Sequence, residues 1–136
     1  MKIEISGTIQ FYDTDCGGVV SNIAYLRYVE QARSALFEAL GMGLVEMNES
    51  RLFPAVIRTE IDYRSPARLG DEMKIFAALS AVEKVRATCE FTLEVEREPG
   101  EATLLATAKQ FVALVQMPSG RPRRMPEEWK SLSLRP

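Results

Sequence analysis

The chain has no histidine anywhere in its 136 residues. A Ser-His-Asp triad and a Cys-His pair are therefore impossible. So is a histidine-ligated zinc site, and the two cysteines, Cys16 and Cys89, cannot build a four-cysteine one. Two cysteines are also too few for a disulfide framework, which fits a cytoplasmic chain. No G-x-x-x-x-G-K-[ST] or G-x-G-x-x-G pattern occurs, so a phosphate-cradling nucleotide loop has no support. No apolar run approaches the ~18–20 residues of a membrane span. The opening MKIEISG has no apolar signal-peptide core. Net charge is only −2, so nothing points to bulk binding of nucleic acid or of a membrane surface. For acid–base or nucleophilic work near neutral pH, carboxylates are the first candidates.

The length suits one domain, residues 1–136, with a modest core. Apolar residues at Ile3, Ile5, Ile9 and Phe11 alternate as in a strand. The run ends at Asp13-Thr14-Asp15-Cys16-Gly17-Gly18, which has loop chemistry. Tyr25, Leu26, Val29, Ala32, Leu36, Phe37 and Leu40 then recur at steps of three and four on one helical face. Ser21 or Asn22 can cap the start, and Gly41 can sit just past the end. The spacing predicts a helix of about five turns, longer than the ~3 of an average helix.

Alternation returns over 55–64, over 73–81 and most cleanly over 85–96. Between the first two, residues 65–71 (SPARLGD) break the pattern and turn the chain. Glu98-Pro99-Gly100-Glu101 has Pro and Gly where a type II turn wants them, which predicts an antiparallel hairpin into a more continuously apolar strand over 104–117. From about residue 118 the prolines and arginines predict an irregular tail. The order β-α-β-β-β-β predicts an α+β fold, an antiparallel sheet of about five strands curled around one long helix.

The Asp-Thr-Asp cluster admits several chemistries. Asp13, Asp15 and Gly18 match positions 1, 3 and 6 of an EF-hand loop. Gly17 and Ala24, at positions 5 and 12, supply no side-chain ligand. An Asp-x-Asp after a first strand also resembles the haloacid dehalogenase phosphatases, but their fold needs alternating strands and helices. Asp and Gly suit any strand-to-helix turn, and Asp13 reads as no more than that. Asp15 lies a few residues before a long helix, with glycines between that let backbone approach a ligand. The free N–H groups and dipole of a helix start favour an anion there. A carboxylate beside an oxyanion site is a working arrangement for acyl transfer.

The segment Tyr12-Asp13-Thr14-Asp15-Cys16-Gly17-Gly18-Val19-Val20, with Tyr25-Leu26 and Glu30-x-x-Arg33 beyond it, resembles the hotdog-fold thioesterases, closest to the 4-hydroxybenzoyl-CoA thioesterase-like branch. Residues 61–71 (IDYRSPARLGD) and, more weakly, Val85-Arg86-Ala87-Thr88 resemble it too. The resemblance implies hydrolysis of an acyl-CoA to free acid and coenzyme A, with no metal or bound cofactor, in a homodimer or homotetramer. It places the catalytic aspartate on Asp15 and the oxyanion donor on the backbone N–H nearest Asn22, with Gly18 and Val19 in the turn that shapes the site. Many relatives have an aromatic residue and then histidine or tyrosine where this chain has Ser21-Asn22, so any mechanism here runs without histidine. That also disfavours hotdog dehydratases. Lys84 and Arg86 stand where relatives meet the CoA phosphates, with a solvated turn as the rival reading. Arg64 and Arg68 are weaker candidates of the same kind. Arg121, Arg123 and Arg124 could touch phosphates or belong to a free tail. Glu30 reads as a helix-face charge, and Cys16 as a packed thiol. An aromatic acyl-CoA hydrolase, such as one for 1,4-dihydroxy-2-naphthoyl-CoA, and a non-catalytic acyl-CoA binder are the alternatives.

Overall fold

The computed structural model describes residues 1–15 and 18–134. Its strands are β1 (Lys2–Thr8), β2 (Leu52–Tyr63), β3 (Glu72–Val82), β4 (Ala87–Glu98), β5 (Glu101–Gln116) and β6 (Arg121–Arg123), and its helices are α1 (Asn22–Ala39), α2 (Leu44–Ser50) and α3 (Glu128–Leu132). The sheet is antiparallel in the order β1-β3-β4-β5-β2, and β6 pairs with β5 alone. It curls around α1, as the alternating strands and single long helix predict.

The apolar stripe explains α1. Ala24, Tyr25, Val29, Ala32, Leu36 and Phe37 are buried against the concave face of the sheet. There they meet Ile75, Ala77 and Leu79 of β3, Cys89, Phe91 and Leu93 of β4, and Val112 and Leu114 of β5. Leu26, expected on this face, is instead exposed. Ser21 caps the start, its hydroxyl accepting the Ala24 N–H. The far end closes with Gly41 at φ +86°, the Met42 N–H reaching the Phe37 carbonyl at 2.8 Å and the Gly41 N–H reaching Glu38 at 3.1 Å. That is a Schellman closure, which needs the left-handed residue that glycine supplies.

Two expectations are corrected, and one helix has no counterpart in the sequence reading. The first strand does not run to Phe11. It ends at Thr8, and residues 11–13 form a single 3₁₀ turn in which the Asp13 carboxylate accepts the Gln10 N–H at 3.0 Å. The turn throws Phe11 and Tyr12 into solvent. Helix α2 has no fully buried residue, so no apolar face announces it. Nor is the tail irregular. β6 pairs with β5, and α3 buries Trp129 against Phe37, the rings stacked 5.5 Å apart. The single tryptophan of the chain and Met125 thus join the core at the end of α1 remote from Asp15. Their apolar area had no periodic pattern around it to reveal a helix of five residues. Within the described residues no helix is long and apolar enough to cross a membrane.

Candidate active site

The two carboxylates of the loop have different fates. Asp13 is buried, 5% exposed, and holds its own turn together, with Arg27 of α1 3.6 Å from its other oxygen. It borders a groove of about 300 Å³ between β1 and α1. Asp15 is exposed and faces a separate cleft of about 290 Å³, lined by Val19, Val20, Asn22, Tyr25, Tyr63 and Arg64 among others.

The loop that carries Asp15 is pinned at several points. The Asp15 N–H donates to the Val19 carbonyl at 3.0 Å, and the Asp15 carbonyl accepts the Gly18 N–H at 3.1 Å. Thr14 bridges Val20, and Val19 bridges Arg68. The Val20 N–H reaches the Ala67 carbonyl at 2.8 Å, and the Ser21 N–H reaches Asp13 at 2.9 Å. Gly18 turns the chain at φ +76°, a conformation that costs any side chain with a Cβ about 1–2 kcal/mol. Cys16 and Gly17, and with them the reading of Cys16 as a packed thiol, lie outside the described residues.

Asn22 is the first residue of α1, so its N–H has no acceptor one turn back within the helix. Asp15 and this helix start therefore line one cleft, a carboxylate on one wall and a backbone donor with the positive end of the helix dipole on another. Such a pair suits attack on a carbonyl whose oxygen gains negative charge.

Tyrosines complete the cleft. Tyr25 and Tyr63 meet edge to face with ring centres 5.3 Å apart. The Tyr25 hydroxyl accepts the buried Ala67 N–H at 3.0 Å, clipping the 65–68 segment to the helix. Burial raises the phenol above its ordinary pKa, so it stays protonated. In the sequence Tyr25 reads as a core position and as part of the segment resembling the thioesterases; its hydroxyl does the work that periodicity does not register. Arg97 holds the same segment from outside, with Nη2 2.8 Å from Asp71 and 3.0 Å from the Pro66 carbonyl.

Burial pushes the Asp71 carboxyl up, but the Arg97 side chain and the Arg68 N–H outweigh it and hold the group below its ordinary 3.8. A carboxylate depressed in the folded state stabilises the fold above its unfolded pKa. It loses that contribution as pH falls through the lower folded value. We expect urea midpoints of the native chain to fall below about pH 4, and Asp71→Asn to flatten that acid limb while costing about 1–2 kcal/mol at pH 7. An unchanged acid limb in Asp71→Asn would remove Asp71 from the acid response.

Of the predicted site residues, Asp15, Val19, Asn22 and Arg64 share the cleft, and Gly18 shapes the loop behind it. Within one chain Lys84 and Arg86 do not join them. They lie in the β3–β4 turn, near where Ala87 pairs with Val112, whereas the cleft lies where Tyr63 pairs with Ala106. Arg86 ion-pairs with Glu83 at 2.8 Å and rides over the Phe111 ring. Glu30 makes a hydrogen-bonded group with Arg33, the buried Gln110 and, through Gln110, Thr59. Cys89 is buried beneath the helix, its thiol pushed up to about 12, and so is inert.

Residues 9–132 match the thioesterase-like superfamily. The acyl-CoA thioesterase YbgC of Haemophilus influenzae is 30% identical over 124 residues, covering 90% of this chain and 88% of that protein. The 1,4-dihydroxy-2-naphthoyl-CoA hydrolase of Synechococcus elongatus is 27% identical over 121 residues, covering 88% and 85%. Among solved structures, a probable thioesterase from Bartonella henselae superposes with a TM-score of 0.75 at 27% identity, over 92% of this chain and 98% of that one. With the fold, the loop and the cleft in place, the match over nearly the whole length leaves one assignment: the chain belongs to the thioesterase-like superfamily, on the hotdog fold.

Proposed function

We propose that the protein hydrolyses acyl-CoA thioesters, with Asp15 as nucleophile or general base and the Asn22 N–H as oxyanion donor. The observation that carries this reading is the shared cleft, with Asp15 and the first N–H of α1 on its walls. Attack at the thioester carbonyl, by Asp15 itself or by a water it deprotonates, drives charge onto the oxygen facing the helix start. Collapse of that intermediate breaks the C–S bond and releases the CoA thiolate, which takes up a proton. If Asp15 is the nucleophile, water then hydrolyses the acyl-aspartate anhydride. Arg64, exposed on the rim, suits the anionic leaving group. The edge-to-face pair Tyr25 and Tyr63 favours, as a second reading, a flat aromatic acyl group, and one similar protein carries the name of such a hydrolase.

The active form is proposed to be a homodimer or homotetramer. Nothing pairs with the outer edge of β2 among the described residues, and Ile57 and Tyr63 of β2 are exposed, as are Ile23 and Leu26 of α1. Open strand edges and exposed apolar side chains are what two-fold assembly covers. Free-thiol release from a panel of straight-chain and aromatic acyl-CoA esters tests the activity. Release from at least one ester is expected. A folded protein that releases no thiol across the panel would make it a binder.

A further inference from the structure

The groove between β1 and α1 opens where one side chain is missing. Ile3 and Ile5 of β1 pack on the core, and Ile9, just past the strand, is buried. Gly7 holds the same phase and pairs with Met73, a buried core residue. Residues directly opposite in a ladder share a face, so Gly7 belongs to the face that meets α1. A Cβ built on Gly7 would meet nothing beyond its chain neighbours within 4 Å. Its backbone does not ask for glycine either, because Gly7 is not among the positive-φ glycines. Glycine inside a strand is unfavourable, and it marks places where a ligand approaches closely. Here it leaves an opening of about 300 Å³.

The opening is amphipathic. Ile5, Met73, Ile75 and the Tyr28 ring give it apolar walls. Among the described residues that line it only Asp13 and Arg27 are charged, and they stand 3.6 Å apart, so their charges offset one another. Two polar groups are left short of partners. The Tyr28 hydroxyl is buried and makes no hydrogen bond to a described residue. Burial, and then the nearby Asp13 carboxylate, raises its pKa, so it stays a donor. The Asp13 carboxylate accepts the Gln10 N–H through Oδ2, while Arg27 stands beyond hydrogen-bond length of Oδ1. A buried donor without an acceptor costs free energy. A hydroxyl group answers both needs, because it accepts from Tyr28 and donates to Asp13. A carboxylate would be repelled by Asp13, and an ammonium would face Arg27.

We propose that this groove is a ligand site separate from the Asp15 cleft, and that it takes a small neutral molecule with an apolar body and a hydroxyl, the hydroxyl bridging Tyr28 and Asp13. Its volume is at the lower end of the ~300–1,000 Å³ of ordinary ligand pockets, which suits a single ring or a short chain. The inference needs no part of the hydrolase reading, and its test needs no turnover.

Phenol is the probe. Toluene is its isostere without the hydroxyl, and benzoate and benzylammonium are its charged counterparts. Titrations of the native chain followed by amide chemical shifts measure and locate binding. Phenol should bind with a Kd of about 1 mM, more tightly than the other three. It should shift the amides of Gly7, Asp13 and Tyr28 more than those of Tyr63 and Arg64 in the other cleft. Gly7→Val fills the opening and should weaken phenol by about 10-fold or more, with no fall in thermal midpoint. Tyr28→Phe keeps the ring, and should weaken phenol by about 2–10-fold and bring it level with toluene. Undiminished phenol binding by Gly7→Val overturns the proposal. So do shifts centred on Tyr63 and Arg64, or tighter binding of either charged counterpart. A native chain that shows no saturable response to phenol leaves the groove to water and overturns it as well. Should Gly7→Val fail to fold, Tyr28→Phe decides: equal phenol affinity in variant and native protein removes the bridging hydroxyl and the site with it.

Discussion

Asp15→Asn should lower kcat for acyl-CoA hydrolysis by about 10²–10⁴-fold while leaving the fold and CoA binding intact. The effect is confined to chemistry because of where the residue sits. Asp15 is exposed at the cleft, and its backbone closes the loop through Val19 and Gly18. Asparagine keeps the shape and removes the negative charge that either attacks the carbonyl or takes a proton from water. Asp13 gives the contrast. It is buried and caps its own turn, so Asp13→Asn should appear first as lost stability. Asn22→Ala should cost little, because the proposed donor is the main chain. Steady-state thiol release with each variant, beside circular dichroism, checks the set. Near-native turnover by a folded Asp15→Asn protein would take Asp15 out of the mechanism. A dead Asn22→Ala protein would replace the backbone donor with the side chain.

Trp129→Ala should destabilise the protein by about 3–5 kcal/mol. The indole is 2% exposed and lies on the Phe37 ring where α1 ends. Removing it leaves a cavity between a five-residue helix and the core, and so short a helix cannot stand without its packing. Against a typical stability of ~5–15 kcal/mol, that loss is a large fraction. Turnover per folded molecule should change little, because Asp15 is at the opposite end of α1. Urea denaturation followed by far-ultraviolet circular dichroism measures the cost. A loss under about 1 kcal/mol would mean that the tail contributes little to the core.

Much of this was legible residue by residue. The steps of three and four from Tyr25 to Phe37 specify α1, because a helix must bury a stripe. Strict alternation from Ala87 to Val95 specifies β4, whose odd positions over that stretch lie in the core. Pro99-Gly100 specifies the hairpin, and Gly100 adopts φ +80°. Other features carried no local pattern. α2 buries no residue fully, Phe11 continues an alternation that the Asp13 cap interrupts, and Trp129 finds its partner 92 positions back along the chain, at Phe37.

The lack of histidine, the order of elements and the carboxylates available for chemistry belong to the sequence alone, because residue type and period are local properties. Only the tertiary structure separated Asp13 from Asp15. Two residues apart in one loop, they end up in a buried turn and an open cleft, because pairing of Val19 and Val20 with Ala67 and Arg68 rotates the loop between the sheet and α1. Only the tertiary structure, too, put Lys84 and Arg86 at the other end of the sheet from their own chain's cleft. Strand register fixes which distant residues share a row, and register follows from packing that no single segment of the chain contains.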